Sequence, residues 1–156
     1  MRIMKKIMII AAAILLTTTG ALAAASAFCI HNDDKPIKFE ELPAPAKEFV
    51  SKHFAKEQVS YTTLDNDILY KEYTVVFLSG TKLEFTGSGE WKEVDCRYSE
   101  VPSAIVPAAI AKYVKESHPN SKITELKHER NEWEAKITGG LELTFSSDFR
   151  LIEIDD

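Results

Sequence analysis

The chain has 156 residues, the length of one ordinary domain, and this length argues against separate catalytic and regulatory modules. Hydrophobic residues make up 45% and charged residues 28%, a composition that excludes intrinsic disorder, collagen-like sequence and a polytopic membrane protein. The formal net charge is −5, so we expect one compact, acidic globular domain.

The N-terminal segment has the three parts of a secretory signal peptide. Three basic residues lie within the first six positions, ten apolar residues follow at 7–16, and small-x-small cleavage sites end at Ala25 and Ala27. A membrane-spanning helix needs about 20 apolar residues, so this run is too short to be an anchor. The sequence predicts a signal peptide over 1–27, a flexible leader over 28–38, a periplasmic or secreted location, and no stable membrane insertion after cleavage.

Cleavage changes both the charge and the redox environment of the chain. Removing 1–27 leaves 16 Lys and Arg against 24 Asp and Glu, so the net charge becomes −8. Because such a surface repels phosphate, we predict no nucleic-acid partner. Export would allow Cys29 and Cys96 to form a disulfide, although the polar leader around Cys29 leaves the unpaired alternative open. Phe28 disfavours a lipid anchor on Cys29, because the lipoprotein peptidase requires a small residue there.

Two segments of the mature chain match each other, which indicates a tandem duplication. Leu42-Pro43 opens a stretch with apolar residues at helical spacing, and Val106-Pro107 opens a second stretch 64 positions later. Each copy, 39–97 and 101–156, is predicted to form a helix followed by four antiparallel strands with tight turns. Farther along the chain, the offset between the two copies changes from 64 to 60 positions. At this offset six pairs of residues are identical: Glu72/Glu132, Gly80/Gly140, Leu83/Leu143, Phe85/Phe145, Glu93/Glu153 and Asp95/Asp155.

Alternation along the strands separates two faces of the predicted sheet. The apolar set should face both helices: Tyr73, Val75, Phe77, Leu83, Phe85, Trp133, Ala135, Ile137, Leu143 and Phe145. The intervening residues form a second face that no predicted element covers: Thr74, Val76, Lys82, Glu84, Glu134, Lys136, Glu142 and Thr144. The predicted fold class is therefore α+β, a tandem helix-plus-antiparallel-sheet unit over 39–156 with both helices on one sheet face.

Four stretches carry a family resemblance: YTVVFLSGTKLEF, GEWKEVDC, VPSAIVPAAIAKYVKESHP and GGLELTFSSDFRLIEIDD. Together they resemble the PepSY-like family of secreted bacterial proteins, which is also described as beta-lactamase-inhibitor-like. The resemblance extends over nearly all of Lys38 to Asp156. It implies tandem helix-plus-sheet units, a periplasmic location typical of Gram-negative gut bacteria, and no established catalytic activity. No inhibitory contact motif has a matching position in this chain, and fold alone does not give function.

The residues that could carry chemistry form no recognised catalytic or metal-binding motif. The four histidines lack the spacing that places two imidazoles on one helix face. Glu93 and Asp95 share a strand face, which would suit a hard cation or an acid/base pair, but no calcium-binding loop accompanies them. Gly87-Ser88-Gly89 lacks the flanking pattern of a nucleophile elbow. We expect no enzymatic activity, no metal and no cofactor.

The uncovered sheet face is the largest surface left for function. We predict a non-enzymatic periplasmic binding module, inhibitor-like in character, that engages an exported protein or peptide. The contact surface is predicted to centre on Val76, Glu84, Lys136 and Glu142, with Val76 exposed, or else on the hairpin loops. The alternative is a periplasmic small-molecule or ion-binding protein, which would instead have a deep cavity with convergent polar groups.

Overall fold

The computed structural model describes residues 34–67 and 70–156. The signal peptide expected over 1–27 lies outside this range, as does Cys29. The described part has nine strands, two α-helices and a short 3-10 turn at Phe39–Glu41. In chain order these are β1 Lys35–Ile37, α1 Ala44–His53, β2 Val59–Asn66, β3 Lys71–Phe77, β4 Lys82–Thr86, β5 Trp91–Asp95, α2 Ala108–Ser117, β6 Ile123–Glu129, β7 Glu132–Ile137, β8 Glu142–Ser146 and β9 Leu151–Asp155.

All nine strands form one sheet whose spatial order follows the chain, β1 to β9, with every neighbouring pair antiparallel. The α+β class is therefore confirmed. The pairing of β5 with β6 joins the first half of the sheet to the second, with Val94 opposite Leu126. Within 34–67 and 70–156, no helix has the length and apolar character needed to cross a membrane.

Both helices begin where the sequence places a proline. Pro43 and Pro107 are the N-caps of α1 and α2, and a proline there loses nothing, because the first-turn N–H groups have no partner within the helix. Each helix buries two residues one turn apart against the sheet: Ala46 and Val50 in α1, and Ile110 and Val114 in α2.

The helices pack on the same face of the sheet and enclose one core. The Phe49 ring of α1 meets Phe85 edge-on at 5.7 Å between ring centroids, and Tyr113 of α2 meets Phe145 in the same way at 5.5 Å. The helix-facing set expected from alternation is buried in this core, except that Trp133 is half-buried at its margin. Burial of this apolar surface is the main force that holds the helices to the sheet.

The first strand was not expected. Alternation and composition assigned 28–38 to a flexible leader, but Lys35–Ile37 pairs with β2, with Pro36 opposite Thr63. The prediction was therefore wrong for these three residues. A short strand containing proline shows no periodicity in sequence, and only its position at the sheet edge makes the proline acceptable.

The two halves share the order of their elements. Each has a ten-residue helix followed by four antiparallel strands, and each has a register shift in its last strand pair, at Glu84/Phe85 and at Thr144/Phe145. This agreement supports the tandem duplication, which stays a prediction.

Candidate functional site

The sheet face opposite the helices, here called the open face, presents two long rows of side chains, all of them polar except Val76. Each row follows the cross-strand register from β3 to β9 and therefore contains one residue from each strand. The first row is Val76, Lys82, Asp95, Glu125, Lys136, Glu142 and Asp155. The second is Thr74, Glu84, Glu93, Lys127, Glu134, Thr144 and Glu153. Carboxylates outnumber lysines in both rows, so the open face is acidic.

Lys82 connects the two rows of the open face by pairing with two carboxylates. Its ammonium lies 2.7 Å from Glu93 Oε1 and 2.9 Å from Glu84 Oε1. Burial by itself lowers the pKa of Lys82, but the hydrogen bonds it donates to Glu93 and Glu84 outweigh burial and raise the pKa. For Glu93 the balance is opposite: burial raises its pKa more than Lys82 lowers it. This difference marks Glu93 as the more deeply desolvated partner.

Glu125 occupies a less favourable position at the centre of the sheet. Its cross-strand neighbours are Asp95 on β5 and Lys136 on β7. Burial, followed by the charges of Glu93 and Asp95, raises its pKa, and the attraction of Lys136 only partly opposes this. Like charges directly opposite each other destabilise a sheet. An added positive charge at this point of the open face would therefore reduce the repulsion and stabilise the sheet.

Two further lysines form ion pairs toward the other end of the strands. Lys92 binds Glu72 and lies 3.4 Å from Glu129 Oε1. Lys127 lies 3.5 Å from Glu134 Oε2 and 3.9 Å from Glu129 Oε1. All these side chains are partly exposed, so each ion pair contributes little stability and stays accessible to a partner.

Of the four residues predicted to form the contact surface, Val76 requires a correction. Register places it on the open face, opposite Tyr61 and Lys82, and it lies outside the helix-side core. It is nevertheless only 4% exposed, so the expectation that it is exposed was wrong. Alternation predicts which face of the sheet Val76 lies on, but it does not predict whether neighbouring side chains cover it. The long side chains of its two cross-strand neighbours can lie over a valine.

The other three residues lie on the open face and are partly exposed, but the sheet separates them. Glu84 is on β4, whereas Lys136 and Glu142 are directly opposite each other on β7 and β8. Between β4 and β7 stand β5 and β6, a separation of about 14 Å at the usual strand spacing. Glu93, Asp95, Glu125 and Lys127 fill this centre. Sequence reasoning put Glu93 and Asp95 on one face but could not identify their partners, because the β5–β6 pairing joins segments that share no local signal.

A groove of about 550 Å³ opens beside the middle of the first row, where Asp95, Glu125 and Lys136 line it. Its walls include Asp95 and Glu125 from the open face, the exposed ring of Tyr98, and the turn at Gly139 and Gly140. The groove is open to solvent rather than enclosed. A shallow, charged groove is less suited to a buried small ligand than to a side chain of a protein partner.

Two other groups that could carry chemistry, His128 and Cys96, lie on the helix side of the sheet. His128 stacks on Trp133 at 4.1 Å between ring centroids, on the helix side of the sheet. Cys96 is buried, and this burial raises the pKa of its thiol to about 11. Within 34–67 and 70–156, no group of three or more His, Cys, Asp or Glu side chains is arranged to hold a metal ion. The predicted pairing of Cys96 concerns Cys29, which lies outside the described residues.

Three solved structures that are similar to this chain come from two Bacteroides species. A "putative calcium-regulated periplasmic protein" from Bacteroides thetaiotaomicron is 41% identical, with a TM-score of 0.77 over 80% of this chain and 98% of that one. A "putative periplasmic protein" of the DUF2874 family from Bacteroides vulgatus is 40% identical, with a TM-score of 0.77 over 81% and 99%. Another, "of unknown function", from Bacteroides vulgatus is 32% identical, with a TM-score of 0.75 over 79% and 99%. No curated protein matches significantly.

These relatives share both the fold and the location expected from the sequence, and the chain is a periplasmic or secreted protein. The family model described as "Putative beta-lactamase-inhibitor-like, PepSY-like" matches residues 71–153, which run from β3 to β9 and include the whole centre of the open face. The resemblance stated from the four stretches is confirmed: this chain belongs to the PepSY-like family.

Proposed function

We propose that this protein is a non-enzymatic periplasmic binding module whose open face engages a basic surface of an exported protein or peptide. The observation that carries the proposal is the pair of polar rows, in which carboxylates outnumber lysines across seven strands. Within the described part of the chain, both helices pack on the opposite face and leave these rows without a covering element. The inhibitor-like family description is compatible with this role.

Charge determines which partner the open face would accept. Glu125 is disfavoured in its ionised form by burial and by Glu93 and Asp95, so a lysine or arginine from a partner would relieve this repulsion. The groove beside it, with Tyr98 exposed on its rim, has room for such a side chain. Long-range attraction between an acidic face and a basic partner would also speed association at low salt.

The experiment is quantitative affinity capture of the mature protein from a periplasmic extract, followed by mass spectrometry. The test variant Glu84→Gln/Glu142→Gln removes two charges from the open face, and the matched control Glu48→Gln/Glu116→Gln removes two from the exposed sides of α1 and α2. We expect the captured partner to be depleted at least tenfold by the test variant alone. Equal depletion by both variants, or by neither, contradicts the proposal.

A second candidate function is that of a periplasmic ion-binding protein. A structural relative at 41% identity is described as calcium-regulated. In this chain the charges of Glu93 and Asp95 act on Glu125, so a cation would be attracted to this point, although among the described residues the three carboxylates do not form a ready-made metal site. Calcium prefers such oxygen ligands. Isothermal titration calorimetry provides the readout: saturable calcium binding that is absent in Glu93→Gln/Glu125→Gln would favour this function over the first.

A further inference from the structure

The two edges of the sheet differ in how they resist pairing with another strand. The β1 edge is three residues long and contains Lys35 and Pro36, and a short edge with lysine and proline is a common protection against added strands. The β9 edge is five residues long, contains neither, and exposes 55% of Ile152 and 47% of Ile154. The register shift of the β8–β9 pair lies at Thr144/Phe145, so Glu153–Asp155 pair regularly with β8. Among the described strands, β9 pairs with β8 alone.

From this asymmetry we infer that β9 is a docking edge, and that its occupant is an extended segment of another exported protein in which basic and apolar residues alternate. The segment would add a tenth strand by backbone hydrogen bonds, as in β-strand addition generally. This inference rests on the proposed function in requiring a protein partner, but it uses the edge of the sheet rather than the open face.

The side chains of β9 define the pattern of that segment. Glu153 and Asp155 are opposite Thr144 and Glu142 and therefore face the open side, where lysine or arginine on the added strand would meet them. Ile154 is opposite Leu143 and faces the helix side, where an apolar residue would cover its exposed half. Alternate residues of one strand point to opposite faces, so a basic-apolar repeat satisfies both requirements.

A second copy of this chain fits the edge less well. Antiparallel pairing of two β9 strands about Glu153 would set the two Glu153 carboxylates side by side, and like charges in that position are unfavourable. Pairing of β9 with β1 of another copy would meet Pro36, which cannot donate a backbone hydrogen bond. Charge and backbone chemistry both favour a different, basic chain.

The probe is a fluorescent eight-residue peptide of alternating lysine and valine, titrated into the mature protein at low salt with anisotropy as the readout. One control peptide replaces lysine by glutamate, and a second keeps the lysines but has every backbone amide N-methylated. The test variant is Ile154→Lys, which places a charge on the edge. The matched control is Leu78→Lys, because Leu78 is likewise an exposed apolar residue, at 64%, and lies remote in the chain after β3.

We expect the lysine-valine peptide to bind, with affinity lowered at least tenfold by Ile154→Lys or by N-methylation and changed less than twofold by Leu78→Lys. In the unmodified protein, the same peptide should slow amide hydrogen exchange across β9, a readout that needs no variant. No binding at millimolar peptide, or equal binding of the N-methylated peptide, overturns the inference. A wild-type dimer that Ile154→Lys dissociates also overturns it and makes the second copy the occupant.

The same variants separate this inference from the proposed function. If Glu84→Gln/Glu142→Gln loses the captured partner while Ile154→Lys retains both that partner and the peptide, the proposed function stands and the docking edge is refuted. If Ile154→Lys alone loses both, the edge is the contact and the open face is not.

Discussion

Asp95 and Glu125 lie directly opposite each other across the β5–β6 pair, where the two halves of the sheet join. Burial raises the pKa of Glu125 above its ordinary 4.5, and the charges of Glu93 and of the opposite Asp95 raise it further. Binding surfaces commonly contain residues that lower the stability of the free protein, because such surfaces are adapted to bind rather than to be stable.

The pH dependence of stability follows from this pair. Since the folded-state pKa of Glu125 is raised, the folded state binds its proton more tightly, and the contribution of Glu125 to stability decreases as the pH rises above 4.5 through the raised pKa. Glu125→Gln should therefore raise Tm by a few degrees at pH 7 and change it little at pH 4. Glu142→Gln is the control, because Glu142 faces Lys136. Differential scanning calorimetry at both pH values decides, and a lower Tm of Glu125→Gln at pH 7 would contradict the account.

Substitution of Val76 tests the corrected burial of the open face. Val76→Asp places a charge where only 4% of the side chain is exposed, and we expect it to lower the free energy of unfolding by about 2–4 kcal/mol. Val76→Thr keeps the shape without the charge and should cost clearly less. Urea unfolding measures both. A cost below about 0.5 kcal/mol for Val76→Asp would show that Val76 is exposed after all.

The turn at Gly89 fixes the start of α1 against the sheet. Gly89 has φ +90°, and a Cβ there would lie 2.7 Å from Pro43 Cβ and 3.2 Å from the Ala46 nitrogen. Gly139 has φ +103° but no atom within 4 Å of the equivalent position. Gly139→Ala should therefore cost about 1 kcal/mol from backbone strain alone, and Gly89→Ala distinctly more. If urea unfolding showed the same loss of unfolding free energy for both variants, α1 would have to move away from the added Cβ without cost, which would contradict this account.

Cys96 should be inert in the folded protein. Its thiol is buried with a pKa of about 11 against an ordinary 9.0, so very little thiolate is present at pH 8. In a Cys29→Ser variant, where Cys96 is the single cysteine, alkylation by iodoacetamide should be at least 100-fold slower than in urea. Rapid alkylation without urea would show that the end of β5 opens readily.

The sequence was sufficient for the parts of the fold that depend on local patterns. Proline followed by helical spacing gave both helix starts, at Pro43 and Pro107, and period-two alternation gave the two faces of the central strands. β1 was missed because a three-residue strand has no period. The centre of the open face was missed for a different reason: Asp95 and Glu125 are 30 positions apart, and only the pairing of the two halves brings them together.

The most direct test of the open face as the binding surface is carboxylate footprinting. The mature protein is labelled with carbodiimide and glycine ethyl ester, with and without its captured partner, and the labelling of each carboxylate is measured by mass spectrometry. We predict that the partner lowers the labelling of Glu84, Glu134 and Glu142 at least threefold and leaves Glu48 and Glu116 on the helices unchanged. Protection of Glu48 and Glu116 with full labelling of the open-face carboxylates would contradict the account.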